Sequence, residues 1–176
     1  MVEEPLGSDI IGEVKMVIEF KPRKVALDPV TQSPIVLLVD LQDKKMIPIW
    51  LGHAEANAIF VAMEHIQAPR PMTHDLMKNT LGELGAKLLR IEINDLRDRT
   101  YYATMYLKHR KTVIGIDSRP SDAIALALRC AAPIYVTEDV LAKTTVVDLT
   151  QEIEEGDRLL EILKSLEPDD FGKYKM

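Results

Sequence analysis

The chain has 176 residues, 47% of them hydrophobic, and this length and composition predict one domain with a substantial core. Its 22 lysines and arginines against 28 aspartates and glutamates give a net charge of -6, which argues against a general attraction to nucleic acid. A polyanionic partner would need a local basic patch or bridging metal ions. The single cysteine, Cys130, excludes an internal disulfide and a Cys-rich zinc site, and it is typical of a cytoplasmic protein.

The hydropathy pattern predicts neither a membrane segment nor an export signal. No apolar run approaches the roughly 20 residues that a membrane helix requires, and no basic, apolar leader opens the sequence. We therefore expect a cytoplasmic protein without a membrane partner. Residues 1–145 are predicted to form one α+β domain, because no repeat or linker interrupts them. Residues 146–176 are predicted to form an acidic linker and a short amphipathic helix over Asp157–Leu166.

The first part of the chain has the patterns of β-strands, which alternate or run apolar: Glu13–Phe20, Val25–Leu27, Ile35–Leu41 and Met46–Leu51. Lys21–Arg23 contains a proline and is predicted to separate the first two strands. The continuous apolar run of the third strand is typical of a central strand. Pro48 predicts that the fourth strand lies at an edge or contains a bulge, since proline cannot donate a ladder hydrogen bond.

Two helices are predicted next. Ala54–Ile66 has an apolar stripe at helical spacing. Thr73 is a suitable N-cap for a second helix, and Gly85 is a suitable stop. The second helix is predicted to face inward with five side chains: Leu76, Met77, Thr80, Leu81 and Leu84.

The second half of the chain predicts a β-hairpin, a further strand and a buried helix. Lys87–Leu96 and Tyr101–Leu107 are the hairpin strands. The strand that ends at Asp117 carries β-branched apolar residues and is predicted to be buried. Pro120 fits the first turn of a helix, which stays apolar nearly all round until Arg129. A short strand and a short helix capped by Thr137 follow, so we expect one compact α+β domain with packed helices and a mixed or antiparallel β-sheet.

Polar side chains collect at three corners, where a strand or a stiff connector leads into a helix. The corners are Gly52–Glu55, Arg70–Asp75 and Asp117–Asp122. If the three helices pack with their N-termini together, four carboxylates converge on one site: Glu55, Asp75, Asp117 and Asp122. Carboxylates at that density are typical ligands of a hard divalent cation such as magnesium or manganese. Such an ion beside a phosphodiester can activate water and neutralise the leaving oxygen.

The same corners offer groups for proton transfer and for binding of an anion. His74 can serve as a general acid or base near neutral pH. Arg70 and Arg119 can bind a phosphate with two hydrogen bonds each. The hydroxyl of Ser121, in the first turn of the buried helix, adds a further contact to a substrate at this point.

Each of these residues also has a structural interpretation, which is the more common one for a residue taken singly. Asp75 and Asp122 lie in first helical turns, where an acid stabilises the helix by about 0.3–1 kcal/mol. Arg119 can pair with Asp122 alone. Glu55 is the most suggestive of the set, because an acid surrounded by alanines on a helix should be partly buried and then needs a partner.

Three blocks of the sequence resemble the bifunctional nuclease (BFN) domain family, and they occur in order: Pro48–Ala56, Arg70–Leu76 and Asp117–Ala127. The segment Ala132–Val136 also fits the family, and the resemblance covers roughly residues 13–145. It implies a compact α+β domain, and some relatives are described as cleaving both DNA and RNA. The tail from Gln151 lacks the helical interaction motif into which some relatives continue.

Our hypothesis is metal-assisted hydrolysis of phosphodiester bonds in DNA or RNA. The four carboxylates would act as metal ligands or bases, His74 as acid or base, and Arg70, Arg119 and Ser121 as substrate contacts. The alternative is a non-catalytic module that binds a small anion or a partner in the same pocket. A third interpretation makes the polar corners purely structural. Exposed sheet edges and an appended amphipathic helix also predict a homodimer or a larger homo-oligomer.

Overall fold

The computed structural model describes residues 16–29 and 31–149, which form one mixed β-sheet and four α-helices. The strands have the order β6-β5-β4-β7-β1-β2-β3-β8, and adjacent strands are antiparallel except for the parallel pair β4–β7. The strands are β1 Val17–Leu27, β2 Pro34–Asp40, β3 Lys45–Trp50, β4 Ala86–Arg97, β5 Thr100–His109, β6 Thr112–Ser118, β7 Ile134–Thr137 and β8 Val147–Asp148. The helices are α1 His53–Met63, α2 Thr73–Glu83, α3 Pro120–Cys130 and α4 Glu138–Lys143. This architecture confirms the predicted α+β class.

Strand β1 is continuous, and the predicted break at Lys21–Arg23 is wrong. Pro22 pairs with Leu38 and Lys24 pairs with Leu37, so the register shifts and Arg23 is the extra residue of a bulge. A bulge tolerates a proline, because the ladder is already interrupted at that point. The strand therefore continues past a residue that sequence reasoning treats as a terminator.

The central strand β2 is buried along its whole length, as its continuous apolar pattern predicts. Val36 and Leu38 belong to the main core, in which the helices pack against the sheet. The alternate residues of β2, which are Ile35, Leu37 and Val39, belong to a second apolar cluster. This cluster also includes Met46 of β3 and Val147 of β8. Strand β3 pairs with β8 only at Lys45 and Met46, so Pro48 lies where that side of the strand has no ladder partner among the described residues.

Helix α3 is buried nearly all round, which confirms the prediction for this segment. Pro120, Ser121 and residues 123–127 are all buried. The helix contacts α1, α2, β4 and β5, so it forms the centre of the helical layer. This position holds the first turn of α3 at a fixed point above the sheet.

Strand β6 is an exposed edge strand, and the prediction that it is buried is wrong. Val113, Ile114 and Ile116 are 53%, 44% and 39% exposed. The strand pairs with β5 and stands at one end of the strand order, so only one of its ladder sides is used by the described residues. Apolar composition predicted the strand correctly, but the place of the strand in the sheet decides its burial.

Helix α2 differs from its prediction in its cap and in its exposed face. The N-cap is Met72 rather than Thr73, and the Met72 backbone N–H donates to Asp75 Oδ2 at 2.9 Å. Leu76 and Leu84 are 60% and 66% exposed, and Thr80 is exposed as well, so the predicted inward orientation of these three residues is wrong. The helix packs on α3 and β4 through the other side chains of its apolar stripe, such as Met77.

The sheet continues to Asp148, beyond the predicted domain boundary at residue 145, because β8 pairs with β3. The helix predicted over Asp157–Leu166 and the first part of the strand predicted from Glu13 lie outside the described residues. Within residues 16–29 and 31–149, no helix has the length and apolar character needed to cross a membrane.

Candidate functional site

The first turns of three helices meet at one point, and we call this point the polar corner. It consists of Glu55 from α1, His74 from α2, and Arg119 and Asp122 from the start of α3. Arg119 donates from Nη1 to Glu55 Oε1 at 3.0 Å and from Nε to Asp122 Oδ2 at 2.8 Å. The other carboxylate oxygen of Asp122, Oδ1, lies 3.2 Å from His74 Nε2. These bonds confirm that the three helix starts converge, as the sequence predicts.

Local sequence explains how the corner is held. Gly52 is the N-cap of α1, and a Cβ at this position would clash with the Glu55 carboxylate. The glycine therefore leaves room for Glu55 to fold back over the start of its own helix. At α3, Pro120 is buried at the first helical position and restricts Arg119 to the extended conformation that the structure shows. The backbone of Arg119 is thereby fixed at the N-cap position, and its side chain lies between two carboxylates.

The members of the corner differ in their access to solvent. The side chains of His74 and Glu55 are 13% and 19% exposed, and that of Asp122 is 35% exposed. Arg119 is the outermost group, with 54% of its side chain exposed. An external anion would therefore meet the guanidinium first and the imidazole behind it.

Asp75 lies next to His74 in the sequence, but its bonds assign it to helix packing. Its Oδ1 accepts from Arg129 Nε at 2.6 Å, and its Oδ2 accepts from the Met72 N–H. Burial raises the pKa of Asp75, but the Met72 N–H and the Arg129 guanidinium lower it by more, so its pKa lies below the usual value. Both carboxylate oxygens are thus engaged in fixing the start of α2.

Arg129 is a structural centre that sequence reasoning missed. Its side chain is only 7% exposed, and besides Asp75 it donates from Nη1 to the carbonyl oxygens of Ala58 and Ala125, at 3.0 and 2.8 Å. One guanidinium therefore ties α3 to both α1 and α2. The available signal was a charged residue directly after the apolar run Ala123–Leu128, because such a residue needs partners when the helix is buried.

The remaining predicted residues lie outside the bonds that define the corner. Asp117 is exposed on β6, opposite Thr104, and Arg70 is exposed in the connector before α2. Ser121 is only 2% exposed, and its hydroxyl has no hydrogen-bond partner among the described residues. In this conformation the Ser121 hydroxyl therefore lies beneath the surface that a substrate would contact.

The carboxylates gather around a guanidinium rather than around a shared cation position. Within residues 16–29 and 31–149, no group of three or more His, Cys, Asp or Glu side chains is placed to hold a metal ion. Arg119 occupies the space between Glu55 and Asp122, so the observed donor set does not fit a resident magnesium or manganese ion. The metal-ligand roles of Glu55, Asp75, Asp117 and Asp122 stay predictions from the sequence.

Fold and site together define an α+β domain in which helix N-termini present an exposed arginine beside a histidine–aspartate pair. The backbone N–H groups and the guanidinium favour an anionic ligand, whereas the carboxylates of Glu55 and Asp122 oppose one. The chain belongs to the bifunctional nuclease domain family, because residues 36–148 match the sequence model of that family. This match confirms the resemblance that the three sequence blocks predicted.

Similar proteins occur in bacteria and in plants. An uncharacterized protein of Mycobacterium tuberculosis is 34% identical over 170 residues, which cover 92% of this chain and 98% of that protein. Bifunctional nuclease 1 of Oryza sativa subsp. indica is 27% identical over 127 residues, 70% of this chain and 38% of the rice protein. Bifunctional nuclease 2 of Arabidopsis thaliana is 28% identical over 109 residues, 60% of this chain and 33% of that protein. The plant relatives therefore share one part of their length with this chain.

Proposed function

We propose that this protein is a nuclease that hydrolyses phosphodiester bonds in DNA or RNA at the polar corner. Membership of the bifunctional nuclease domain family and the names of the plant relatives support the reaction class. The observation that carries the proposal is the unbroken series of bonds Glu55–Arg119–Asp122–His74 at three helix starts. It combines an anion-binding group with a proton-transfer group within one small surface.

Arg119 is the group that binds the scissile phosphate. Its guanidinium is planar and permanently charged, and it can donate two parallel hydrogen bonds to a phosphate. It is the N-cap of α3, so the partial positive charge of the helix N-terminus reinforces its own charge. Glu55 and Asp122 hold the side chain in place before substrate arrives, which reduces the entropy lost on binding.

His74 and Asp122 form the acid–base pair. A carboxylate only accepts hydrogen bonds, so the contact with Asp122 favours the tautomer in which His74 Nε2 carries the proton. The Nδ1 lone pair is then the base that takes a proton from the attacking water. Asp122 fixes the ring and stabilises the imidazolium, which returns the proton to the leaving oxygen when the phosphorus–oxygen bond breaks.

A comparison of two histidine variants tests this assignment. His74→Asn should lower the rate of cleavage of a labelled oligonucleotide by about 100-fold or more, because general acid–base catalysis commonly contributes 10²–10⁴-fold. His65→Asn is the matched control, because His65 is exposed after α1 and its φ of 52° suits asparagine. Both variants and the unchanged protein should be purified in parallel, since a contaminating nuclease would cleave equally in all three samples.

The same assay decides whether a divalent cation is required. Loss of cleavage in EDTA, restored by added magnesium or manganese, would support the metal dependence predicted from the sequence. Such an ion would have to draw Glu55 and Asp122 away from Arg119. Equal cleavage by the His74→Asn variant and the unchanged protein, with equal melting temperatures, would rule out His74 as the acid–base group.

A non-catalytic anion-binding module is the second candidate function. The exposed guanidinium of Arg119 at the start of α3 favours it, because that arrangement binds a phosphate group without any chemistry. Binding of an oligonucleotide without cleavage under every metal condition would support this candidate and contradict the nuclease proposal.

We also propose that two copies of the chain associate through β6. Within the part of the chain that the structure describes, this strand has one unpaired edge and three exposed β-branched apolar side chains: Val113, Ile114 and Ile116. An edge of this kind is a template for pairing with another strand, and a second copy offers the same edge in a symmetric arrangement. Pairing of β6 with its copy would cover these side chains and continue the sheet across the interface.

A further inference from the structure

The hairpin between β5 and β6 carries a local excess of positive charge in a chain whose net charge is -6. Four exposed cationic residues lie at the start of β4 and in this hairpin, and we call them the basic cluster: Lys87, Lys108, Arg110 and Lys111. Residues 84–91 and 105–114 contain no acid, and Glu83, at the end of α2, is the nearest acid before this part of β4. No acid of these two stretches offsets the four charges, so the cluster forms a positive patch at one end of the sheet.

The two lysines of the cluster face each other directly. Lys87 and Lys108 are cross-strand partners in the antiparallel pair β4–β5. Like charges at directly opposed positions repel and weaken a strand pair. An anion bound between them would remove this repulsion, so the pair has the character of a site that is completed by a negatively charged ligand.

The turn at the tip of the hairpin carries an arginine at a position that favours glycine. Arg110 and Lys111 form the two-residue connection between His109 and Thr112, and Arg110 has a φ of 55°. Two-residue hairpins of this kind favour glycine or asparagine where φ is positive. Arg110 therefore places a positive charge at the tip of the hairpin, at a position where its backbone conformation is unfavourable for an arginine.

We propose that the basic cluster binds the sugar–phosphate backbone of a nucleic acid. The choice of nucleic acid among polyanions rests on the proposed nuclease function, whereas the attraction of an anion follows from the charges of the cluster alone. The seven residues of β6 separate the cluster from Arg119 in the same chain by roughly 20 Å, at about 3.3 Å per residue. The cluster is therefore a subsite distinct from the polar corner, and an oligonucleotide must be several nucleotides long to contact both in one chain.

Two matched glycine variants test the tip of the hairpin. Arg110→Gly removes one charge from the cluster. Arg99→Gly removes one charge from the β4–β5 hairpin, where Arg99 has a φ of 63° and lies beside Asp98. Both variants should keep or raise the melting temperature, because glycine adopts positive φ without strain. Binding is measured by fluorescence anisotropy with a labelled single-stranded DNA of about 20 nucleotides, which is longer than the distance between the basic cluster and Arg119. Of the two variants, only Arg110→Gly should bind this DNA more weakly, by about threefold.

A triple variant tests the whole cluster through its salt dependence. Lys87, Lys108 and Lys111 are replaced together by glutamine, which removes three charges and the opposed lysine pair. Binding of the oligonucleotide should weaken by at least about 10-fold. The slope of log K against log salt should fall in magnitude by about 2, since each lost phosphate contact contributes about 0.7 for a single strand. Intactness of the oligonucleotide is checked on a gel after each titration.

The outcomes separate this inference from the proposed function. Binding that depends on the cluster, without cleavage, would support the subsite and contradict the nuclease. Cleavage with unchanged binding in the triple variant would leave the nuclease intact and overturn the subsite. Equal binding by Arg110→Gly and Arg99→Gly would also count against it. Binding of the unchanged protein to anionic phospholipid vesicles, but not to the oligonucleotide, would overturn nucleic acid as the ligand.

Discussion

Strands β2 and β6 each have seven residues and are rich in β-branched apolar side chains, yet their burial is opposite. Every residue of β2 is buried, whereas β6 is exposed except for the half-buried Ser118. Strand β2 lies between β1 and β3, and both of its faces meet apolar clusters. Strand β6 pairs with β5 at the end of the sheet. Local composition therefore makes a strand, and the order of strands in the sheet decides what the strand buries.

The connection after β6 explains why that strand stays at the edge. The chain leaves β6, passes through α3 and returns in β7, which is inserted between β4 and β1. Helix α3 contacts β4 and β5, so the helical layer lies over the middle of the sheet. No residue within β6 encodes this crossover, because it depends on where β7 finds its partners.

Truncation of one side chain in each strand should give the largest contrast. Leu38→Ala on β2 should lower the free energy of unfolding by about 2–5 kcal/mol, because Leu38 is fully buried and leaves a cavity. Ile114→Ala on β6 should cost less than about 1 kcal/mol, because its side chain is 44% exposed. Urea denaturation of both variants measures the difference. The measurement is made at a protein concentration low enough to keep both variants monomeric, because the proposed pairing of β6 would cover Ile114. Equal losses in the monomer would mean that another part of the chain covers β6.

An acid in the helical layer should give an intermediate effect that depends on pH. Asp75→Asn weakens the bond to Arg129, and we expect a loss of about 1 kcal/mol at neutral pH, since Asp75 is partly exposed. The pKa of Asp75 is lowered in the folded state, so its contribution is present above the unfolded pKa and is lost as the pH falls through the folded value. Melting temperatures of the variant and the unchanged protein should therefore converge on acidification below about pH 4. A constant gap down to pH 2 would show that the charge of Asp75 is irrelevant.

A lysine on the exposed edge should change association but barely change the stability of the monomer. At a protein concentration low enough to keep the chain monomeric, Ile116→Lys should alter the free energy of unfolding by no more than about 0.5 kcal/mol, because Ile116 is then a surface residue. It should convert the expected dimer to a monomer in light scattering at micromolar concentration, because a charge on an edge blocks strand pairing. Leu84→Lys is the matched control, since Leu84 is 66% exposed on α2. A monomeric unchanged protein, or dimers in both variants, would refute association through β6.

Much of this fold follows from local patterns. The alternation of β4 and β5, the apolar length of α3 and the cap at Thr137 all appear in the structure, because each depends on neighbours in the sequence. The N-cap of α2 was displaced by one residue, because Asp75 reaches back to the Met72 N–H. The exposure of β6 depends on sheet order and was not predictable from the strand itself.

The candidate site was also predictable only in part. We could predict from the polar residues at the three helix starts that these starts meet, but the arginines decide which side chains pair there. Arg119 takes Glu55 and Asp122 as partners, and Arg129 takes Asp75, so the acids are distributed between two guanidiniums. Which acid pairs with which arginine depends on side-chain distances across three helices. Composition alone could not separate a carboxylate cluster from two ion-pair networks.

The direction of β6 has a consequence for a two-fold dimer. The strand begins at the basic cluster and ends at Arg119, so its two ends carry different chemistry. If two copies pair through β6 about a two-fold axis, their strands run antiparallel, and the hairpin of each copy lies beside the polar corner of the other. Each reaction centre would then be built in trans from two chains. A mixed dimer of one copy without His74 and one without the basic cluster would retain one complete centre, so the two defects would complement each other.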